Sequence, residues 1–354
     1  MNACSKKIES NDMAKIGVLG SGSFGTAISK IISKNTDVLV YTRRSAIVES
    51  VNKHHKLRAY DLPFNIEATK DLQKLGEECH LIFPIIPSEF FRQALRDLSP
   101  YIGPGHIMIH GTKGLDVSPK FENAKTISDI KRTVFTMSEV IRQETSVLRT
   151  GALAGPNLAK EILEGQPAAT VIASDFDEVI DLGRKHLASS NFIVFGSRNI
   201  KGIELAGALK NVIAIASGLM NGFGFGKNMQ ALLITRGLRE MIHTAMAVGA
   251  EVRPFLGTAG IGDLIATATS DQSRNYTFGK YLALGHSISK IKELMEEVAE
   301  GYRTIKFAYS IIQAAKIEAP MISTLYQITY ENKNVKKALI ELVQNPLSVD
   351  VDFI

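Results

Sequence analysis

The run Lys15-Ile-Gly-Val-Leu-Gly-Ser-Gly-Ser-Phe-Gly-Thr26 constrains this chain more than any other. An apolar stretch, Ile16 to Leu19, ends in Gly20-x-Gly22-x-x-Gly25, and Thr26-Ala27-Ile28 then opens a helical pattern. A buried parallel strand turning sharply into a helix has a use for each glycine. Gly20 allows the tight turn, Gly22 lets a pyrophosphate approach the backbone, and Gly25 lets helix and strand pack closely. The first-turn N–H groups and the helix macrodipole then face negative charge. Glycine turns are common, so the triplet alone decides little. Its place after a strand-like run, before a helical one, and ahead of a second strand, Asp37 to Tyr41, makes it a dinucleotide cradle.

The residues ending that second strand bear on which dinucleotide. An Asp or Glu about 20 residues past the first glycine is the usual reader of a ribose 2′-hydroxyl. This chain has Tyr41-Thr42-Arg43-Arg44 instead. An arginine pairs bidentately with a 2′-phosphate, which an acid would repel. The pattern favours NADPH, or use of both NADPH and NADH, over strict NAD use; the alternative is that Arg43 and Arg44 decorate a solvated loop.

At 354 residues the chain is long for one core, so two domains are expected. A net charge of +5 suits small anionic ligands, and no basic–aromatic run suggests nucleic acid. Cys4 and Cys79 make neither a disulfide framework nor a metal site, and Cys79 reads as buried and inert in a strand-like run. No run of about 18 apolar residues stands out, so no membrane span is expected. Residues 1–13 form a polar extension without the apolar centre of a signal peptide, with Met13 an alternative start; a cytoplasmic protein is expected.

Strand-like and helical segments alternate as far as about residue 197. Asn65 to Thr69, the apolar run His80 to Pro87, His106 to His110, Ala169 to Ala173 and Phe192 to Phe195 read as strands. His54-His55 reads as a surface loop, since no third metal ligand has suitable spacing. Ser88 is placed to cap a helix Glu89 to Leu98. Past residue 198 the apolar period becomes helical: residues 199–250, then Ile288 to Glu300, Thr304 to Lys316 and Val335 to Gln344, with Gly257 to Asp263 as a tight polar turn. The expected architecture is α/β: an N-terminal Rossmann-type parallel sheet domain, 14–197, followed by an all-α domain, 198–354. The cleft between them is the default site.

Several polar residues sit where that cleft should be. Lys113 lies between glycines beyond a strand end, where ligands gather in open sheets, although most lysines are simply solvated. Asn157 follows Gly155-Pro156 and also suits a helix N-cap. Lys210-Asn211 interrupts an apolar helix rich in small residues; a lysine there either snorkels out or is held inside, where burial lowers its pKa toward proton-transfer range. Asp263 either orients that lysine or forms a turn. Ser273-Arg274-Asn275 offers the hydroxyl, guanidinium fork and amide that a phosphate-bearing alcohol needs, or starts a helix.

Taken together, Gly20-Ser-Gly-Ser-Phe-Gly25, Gly111-Thr-Lys-Gly114, Ala154-Gly-Pro-Asn-Leu-Ala159, Gly207-Ala-Leu-Lys-Asn211, Gly260-Ile-Gly-Asp-Leu264, Ser273-Arg-Asn275 and Val298-Ala-Glu-Gly301 resemble bacterial NAD(P)-dependent sn-glycerol-3-phosphate dehydrogenases from about residue 14 to 345. The resemblance implies reversible hydride transfer between NAD(P)H and dihydroxyacetone phosphate, giving sn-glycerol 3-phosphate for glycerophospholipid synthesis. By the same pattern Ser23, Phe24, Arg43, Arg44, Lys113, Ala159, Arg274, Val298 and Glu300 contact the cofactor. Lys113, Gly155, Asn157, Asp263, Ser273, Arg274 and Asn275 hold the substrate, Lys210 is the proton acceptor, and no metal takes part. Asn157 stands where the family carries Ser or Thr, Leu158 where it carries Phe, and Ala268 where it carries a cysteine. A 3-hydroxyacid or 6-phosphogluconate-type dehydrogenase is the rival enzyme; a cofactor-sensing regulator without chemistry is the rival of another class. Met229 to Val248 is apolar enough for either core or subunit interface, which leaves a homodimer open.

Overall fold

The computed structural model describes residues 15–295, 299–344 and 352. The polar leader, Cys4, Met13 and Val298 lie outside the described residues. The first half alternates β1 (Ile16–Leu19), α1 (Ser23–Ile32), β2 (Val38–Tyr41), α2 (Ser45–His54), the ribbon β3–β4 (Lys56–Leu57 and Tyr60–Asp61), β5 (Ile66–Thr69), α3 (Leu72–Glu78), β6 (Leu81–Pro84) and α4 (Ser88–Leu98). It continues with β7 (Ile107–His110), β8 (Asp116–Val117), α5 (Ile127–Thr133), β9 (Val134–Phe135), α6 (Met137–Glu144), β10 (Arg149–Ala154), α7 (Ala159–Leu163), β11 (Ala168–Ser174), α8 (Asp177–Leu187) and β12 (Phe192–Ser197).

Eight of these strands form one sheet in the order β12-β11-β10-β7-β6-β1-β2-β5. Succession runs outward from β1 in one direction through β2 and β5, and from β6 in the other. The crevice beyond the carboxyl ends of β1 and β6 is therefore the switch point where such sheets bind ligands. Side chains alternate across the pleat: Val18, Val40, Phe83 and Ile109 pack with α1 and α8, while Leu39, Ile82 and Met108 pack with α3, α4 and α6. The expected Rossmann-type parallel sheet is present, with one antiparallel pair in it. β10 and β11 are neighbours that run antiparallel, joined through the five-residue α7.

The second half is helical among the described residues: α9 (Ile200–Gly222), α10 (Lys227–Ala247), α11 (Asp263–Ala268), α12 (Arg274–Ala283), α13 (Ile288–Leu294), α14 (Glu300–Ala315), α15 (Pro320–Tyr330) and α16 (Val335–Gln344). α9 is its axle. Contrary to the sequence expectation, this helix is long and apolar enough to cross a membrane, but its apolar window is wholly buried inside the protein. Its small residues let other backbones approach: a Cβ on Gly218 would overlap the Tyr276 carbonyl oxygen, and one on Gly279 of α12 would overlap that of Ile215.

Other expectations also change in detail. The helix read as Ile288 to Glu300 ends at Leu294, and Glu300 begins α14 instead. Gly257 to Asp263 contains one turn of π-helix, Thr258–Gly262, running directly into α11. His54 is the last residue of α2 rather than a loop residue. Cys79 is the C-cap of α3, not a strand residue; it is fully buried, and burial pushes its thiol up to about 12.

Candidate active site

The glycine cradle sits at the switch point. Gly20 has φ +129°, and a Cβ there would overlap the Ile85 carbonyl oxygen; one on Gly25 would overlap that of Gly20. At Gly22 a Cβ would meet nothing within 4 Å, so space lies open above the N-terminus of α1. Gly22 is also the N-cap and makes no side-chain bond to the first turn. Closed packing at two glycines and open space at the middle one fits a bound pyrophosphate, with Ser23 and Phe24 opening the helix beside it. Ser21 is tied to the end of β2 through Thr42, Oγ to Oγ1 at 2.8 Å. Beyond it Arg43 and Arg44 are exposed, with the Arg43 guanidinium 5.9 Å from the Phe90 ring centroid.

Four side chains from both halves meet across the cleft. Lys113, delivered by the loop after β7, donates to the Gly155 carbonyl and to Asp263 Oδ2, both at 2.8 Å. Asp263 is the first residue of α11 and is 2% exposed. Its other oxygen, Oδ1, is 3.0 Å from Lys210 Nζ, which also donates to Thr267 Oγ1. Thr267 closes the triangle on Asp263 Oδ1 at 3.2 Å. Lys210 does not snorkel; only 4% of it is exposed. Burial pushes its ammonium down to about 8, Asp263 opposes that, and Lys113 and Arg274 add to it by repulsion. A lysine near that value gives or takes a proton at neutral pH.

Ser273, Arg274 and Asn275 begin α12 together. Ser273 is its N-cap, accepting from the Tyr276 N–H, and Arg274 is exposed at the first turn. Asn275 is spent internally: its Nδ2 donates to Asn211 Oδ1 at 2.9 Å and its Oδ1 accepts from the Gly301 N–H at 2.8 Å. Asn211 in turn donates to the Lys113 carbonyl at 3.0 Å. This chain of amides fixes the Lys113 loop to α9, α12 and α14. Glu300 is likewise engaged, accepting from the Ser88 N–H at 2.8 Å and from Ser88 Oγ at 2.5 Å. Ser88 is therefore not the expected side-chain cap. It is the first residue of α4, Pro87 is the N-cap, and the Glu300 carboxylate satisfies that helix end from the other half of the molecule.

Asn157 is not an N-cap either; that position is Leu158, without a side-chain bond, and Ala159 opens α7. The Asn157 Nδ2 donates instead to Thr170 Oγ1 at 3.0 Å. Asn211 was singled out with Lys210 but given no role of its own, and Thr267 and Thr170 were missed by sequence reasoning. Of those two only Thr267 had a usable signal, the i,i+4 spacing from Asp263 that sets both on one helix face. Behind the Lys113 loop, buried Glu204 of α9 accepts from the Ser138 N–H at 2.8 Å and pairs with His110 Nε2 at 2.9 Å. Burial works to raise this carboxyl, but the bonds from His110 and Ser138 outweigh it and hold it below its ordinary value.

The sequence and the fold are similar to those of known proteins. Family models for the N-terminus and the C-terminus of NAD-dependent glycerol-3-phosphate dehydrogenase match residues 15–180 and 199–340. A glycerol-3-phosphate dehydrogenase [NAD(P)+] of Teredinibacter turnerae is 35% identical over 343 residues, covering 96% of this chain and 97% of the relative. One from Acinetobacter baumannii is 35% identical over 352 residues, covering 98% and 94%. Among solved structures, glycerol-3-phosphate dehydrogenase from Coxiella burnetii superposes with a TM-score of 0.84 at 28% identity, covering 94% of this chain and 99% of the other. With motifs, fold and relatives in agreement over nearly the whole length, the chain belongs to the NAD-dependent glycerol-3-phosphate dehydrogenase family.

Proposed function

We propose that Lys210 gives and takes the proton in the interconversion of dihydroxyacetone phosphate and sn-glycerol 3-phosphate, the NAD(P)-dependent reaction of this family and a source of glycerophospholipid precursors. The observation that carries this reading is a lysine shut off from water and held jointly by Asp263 and Thr267. When bound, NADPH or NADH supplies the hydride. The chain supplies charge and position. Negative charge developing on the substrate's ketone oxygen is met by a proton from Lys210 Nζ, and in the reverse direction the neutral amine takes it back. Asp263 and Thr267 orient Nζ, while Lys113 adds positive charge beside the same carboxylate. Arg274 and Ser273, at the N-terminus of α12, are suited to the substrate phosphate. Gly155 and Asn157 line the wall opposite, and Asn275 acts by holding α12 and α14 in place.

Gly20, Gly22, Ser23, Phe24, Gly25 and Ala159 would hold the dinucleotide, with Arg43 and Arg44 at a 2′-phosphate. Glu300 would act near the cofactor by fixing the start of α4. The same proposal divides the chain into a dinucleotide unit, 14–197, and a substrate unit, 198–354. It includes a cytoplasmic location, in keeping with the free, buried Cys79, and a homodimer, in keeping with the exposed Leu232 and Met246 of α10. Mixing the purified protein with NADPH or NADH and adding dihydroxyacetone phosphate tests the reading. Ketone-dependent loss of reduced-nicotinamide absorbance is expected. Nucleotide binding with no such loss for either cofactor would instead favour a sensing module.

A further inference from the structure

We infer that β12 is where two copies of this chain meet, its Val194–Gly196 edge pairing antiparallel with the same edge of the partner about a two-fold axis at Phe195; this rests on the homodimer reading given above. The large sheet has two outer strands, β5 and β12. A bare strand edge pairs readily with another chain, so proteins blunt such edges with charges, proline or a cover of other residues. β5 is closed in that way. The Ala68 carbonyl accepts from Asn52 Nδ2 at 3.0 Å and the Ala68 N–H donates to Asn52 Oδ1 at 2.8 Å, so one amide stands in for a neighbouring strand. Glu67, on the same strand, pairs with Lys15 at 2.7 Å.

β12 has no such device over most of its length. Its sequence, Phe192-Ile-Val-Phe-Gly-Ser197, carries neither charge nor proline. The Asn191 carbonyl accepts from the Ala168 N–H at 2.9 Å, and backbone direction repeats every second residue. Ile193 and Phe195 therefore bond β11, while Phe192, Val194 and Gly196 turn outward. Phe192 is spent on Ser189, with which it exchanges backbone bonds at 3.1 and 3.2 Å. Val194 and Gly196 have no outward main-chain partner among the described residues. On the face away from α8, Ile193 and Phe195 are 56% and 47% exposed. The open groups fix the register. An axis at Phe195 sets Val194 against the partner's Gly196 and Gly196 against the partner's Val194, so each exchanges both its N–H and its carbonyl with an open residue. An axis at Val194 would call on Phe192, which is already bound. The Phe195 axis also brings Phe195 beside the partner's Phe195 as a close, non-hydrogen-bonded pair, where aromatic contacts are favourable. Charge fits as well. α8 carries Asp177 and Glu178 in its first turn and Arg184, Lys185 and His186 in its last. The same axis lays the two α8 helices antiparallel on one face of the joined sheet, the acidic end of each toward the basic end of the other.

The test is the mass of the full chain in solution, by sedimentation equilibrium over a range of concentrations. Wild type is expected as a dimer. Val194→Pro removes an outward N–H that β11 does not use, and Phe195→Asp sets two carboxylates together at the axis. Each should raise the dimer dissociation constant roughly 100-fold or more, with far-ultraviolet circular dichroism unchanged. In a Cys4→Ser background, which leaves only the buried Cys79, Phe195→Cys should oxidise to a disulfide-linked dimer. Ile193→Cys, set opposite the partner's Ser197, should not. A wild-type dimer unchanged by Phe195→Asp overturns this inference alone, whatever the folding of Val194→Pro, and so does one in which Phe195→Cys fails to cross-link. Dissociation by Leu232→Glu instead would place the contact on α10. A monomeric wild type overturns the homodimer reading as well.

Discussion

Lys210 is held between opposing pressures, and on the proposed role they set the pH at which it would work. Burial pushes the ammonium down to about 8, Lys113 and Arg274 push the same way, and Asp263 resists. Ketone reduction needs the protonated form, so its kcat/KM should fall as pH rises through about 8, and alcohol oxidation should rise there. Removing the carboxylate in Asp263→Asn leaves only the downward pressures. We expect the reduction midpoint to move to lower pH in that variant, and a midpoint unmoved or raised would contradict the electrostatic account. How much of this was legible differs residue by residue. Lys210 and Asp263 stood out because charged groups interrupt apolar or glycine-rich surroundings. Thr267 did not, because a threonine in a helix is unremarkable until a lysine from another helix is found on it. Asn157 was read as a substrate contact with a helix cap as the alternative, and the cap fails because Leu158 takes that position while the Asn157 amide reaches Thr170.

At the scale of elements, the strand–glycine–helix unit makes separable claims about its glycines. Gly22→Ala meets nothing in the protein. It should fold with an unchanged Tm, yet weaken NADPH by roughly tenfold or more, because its methyl takes the space of the ligand. Gly25→Ala drives a methyl into the Gly20 carbonyl and should lose stability itself. Calorimetry and nucleotide titration of the two variants separate these effects; equal losses of Tm in both would contradict the cradle. A second element depends on one carboxyl. Buried Glu240 of α10 accepts the Met321 and Ile322 N–H groups at 2.8 and 2.9 Å, capping α15. Burial pushes it up to about 7, against an ordinary 4.5. Between those values the folded state holds a proton that the unfolded chain has lost, so this contribution to stability shrinks as pH rises from 4.5 through 7. Urea unfolding of Glu240→Gln should show a flatter pH dependence across that window. Strands β1, β2, β5 and β7 and helix α16 were legible almost to the residue from apolar runs and period. The break after Leu294 was not, because Glu300 is drawn to the start of α4 by a partner more than 200 residues away, which no local window contains.

Over the whole molecule, the division into a sheet half and a helical half was legible from the change of period. The ties between the halves were not, because each joins residues distant in sequence. Glu204 reaches Ser138 and His110, Asn211 reaches Lys113, and Glu300 reaches Ser88. These ties place Lys113 and Lys210 on one carboxylate, so the site exists only when both halves are docked. Glu204→Ala would leave His110 and Ser138 without their partner in the interior, which should cost about 3–5 kcal/mol in urea unfolding. A loss of only a few tenths would mean that this tie does not hold the halves together. The central claim is that Lys210 manages the proton. It is tested most directly by kcat/KM for dihydroxyacetone phosphate reduction from pH 6 to 10 in wild type and Lys210→Met. We expect the variant to lose about 10²–10⁴-fold and to show no break near pH 8. Activity within a few-fold of wild type, with that break intact, would contradict it.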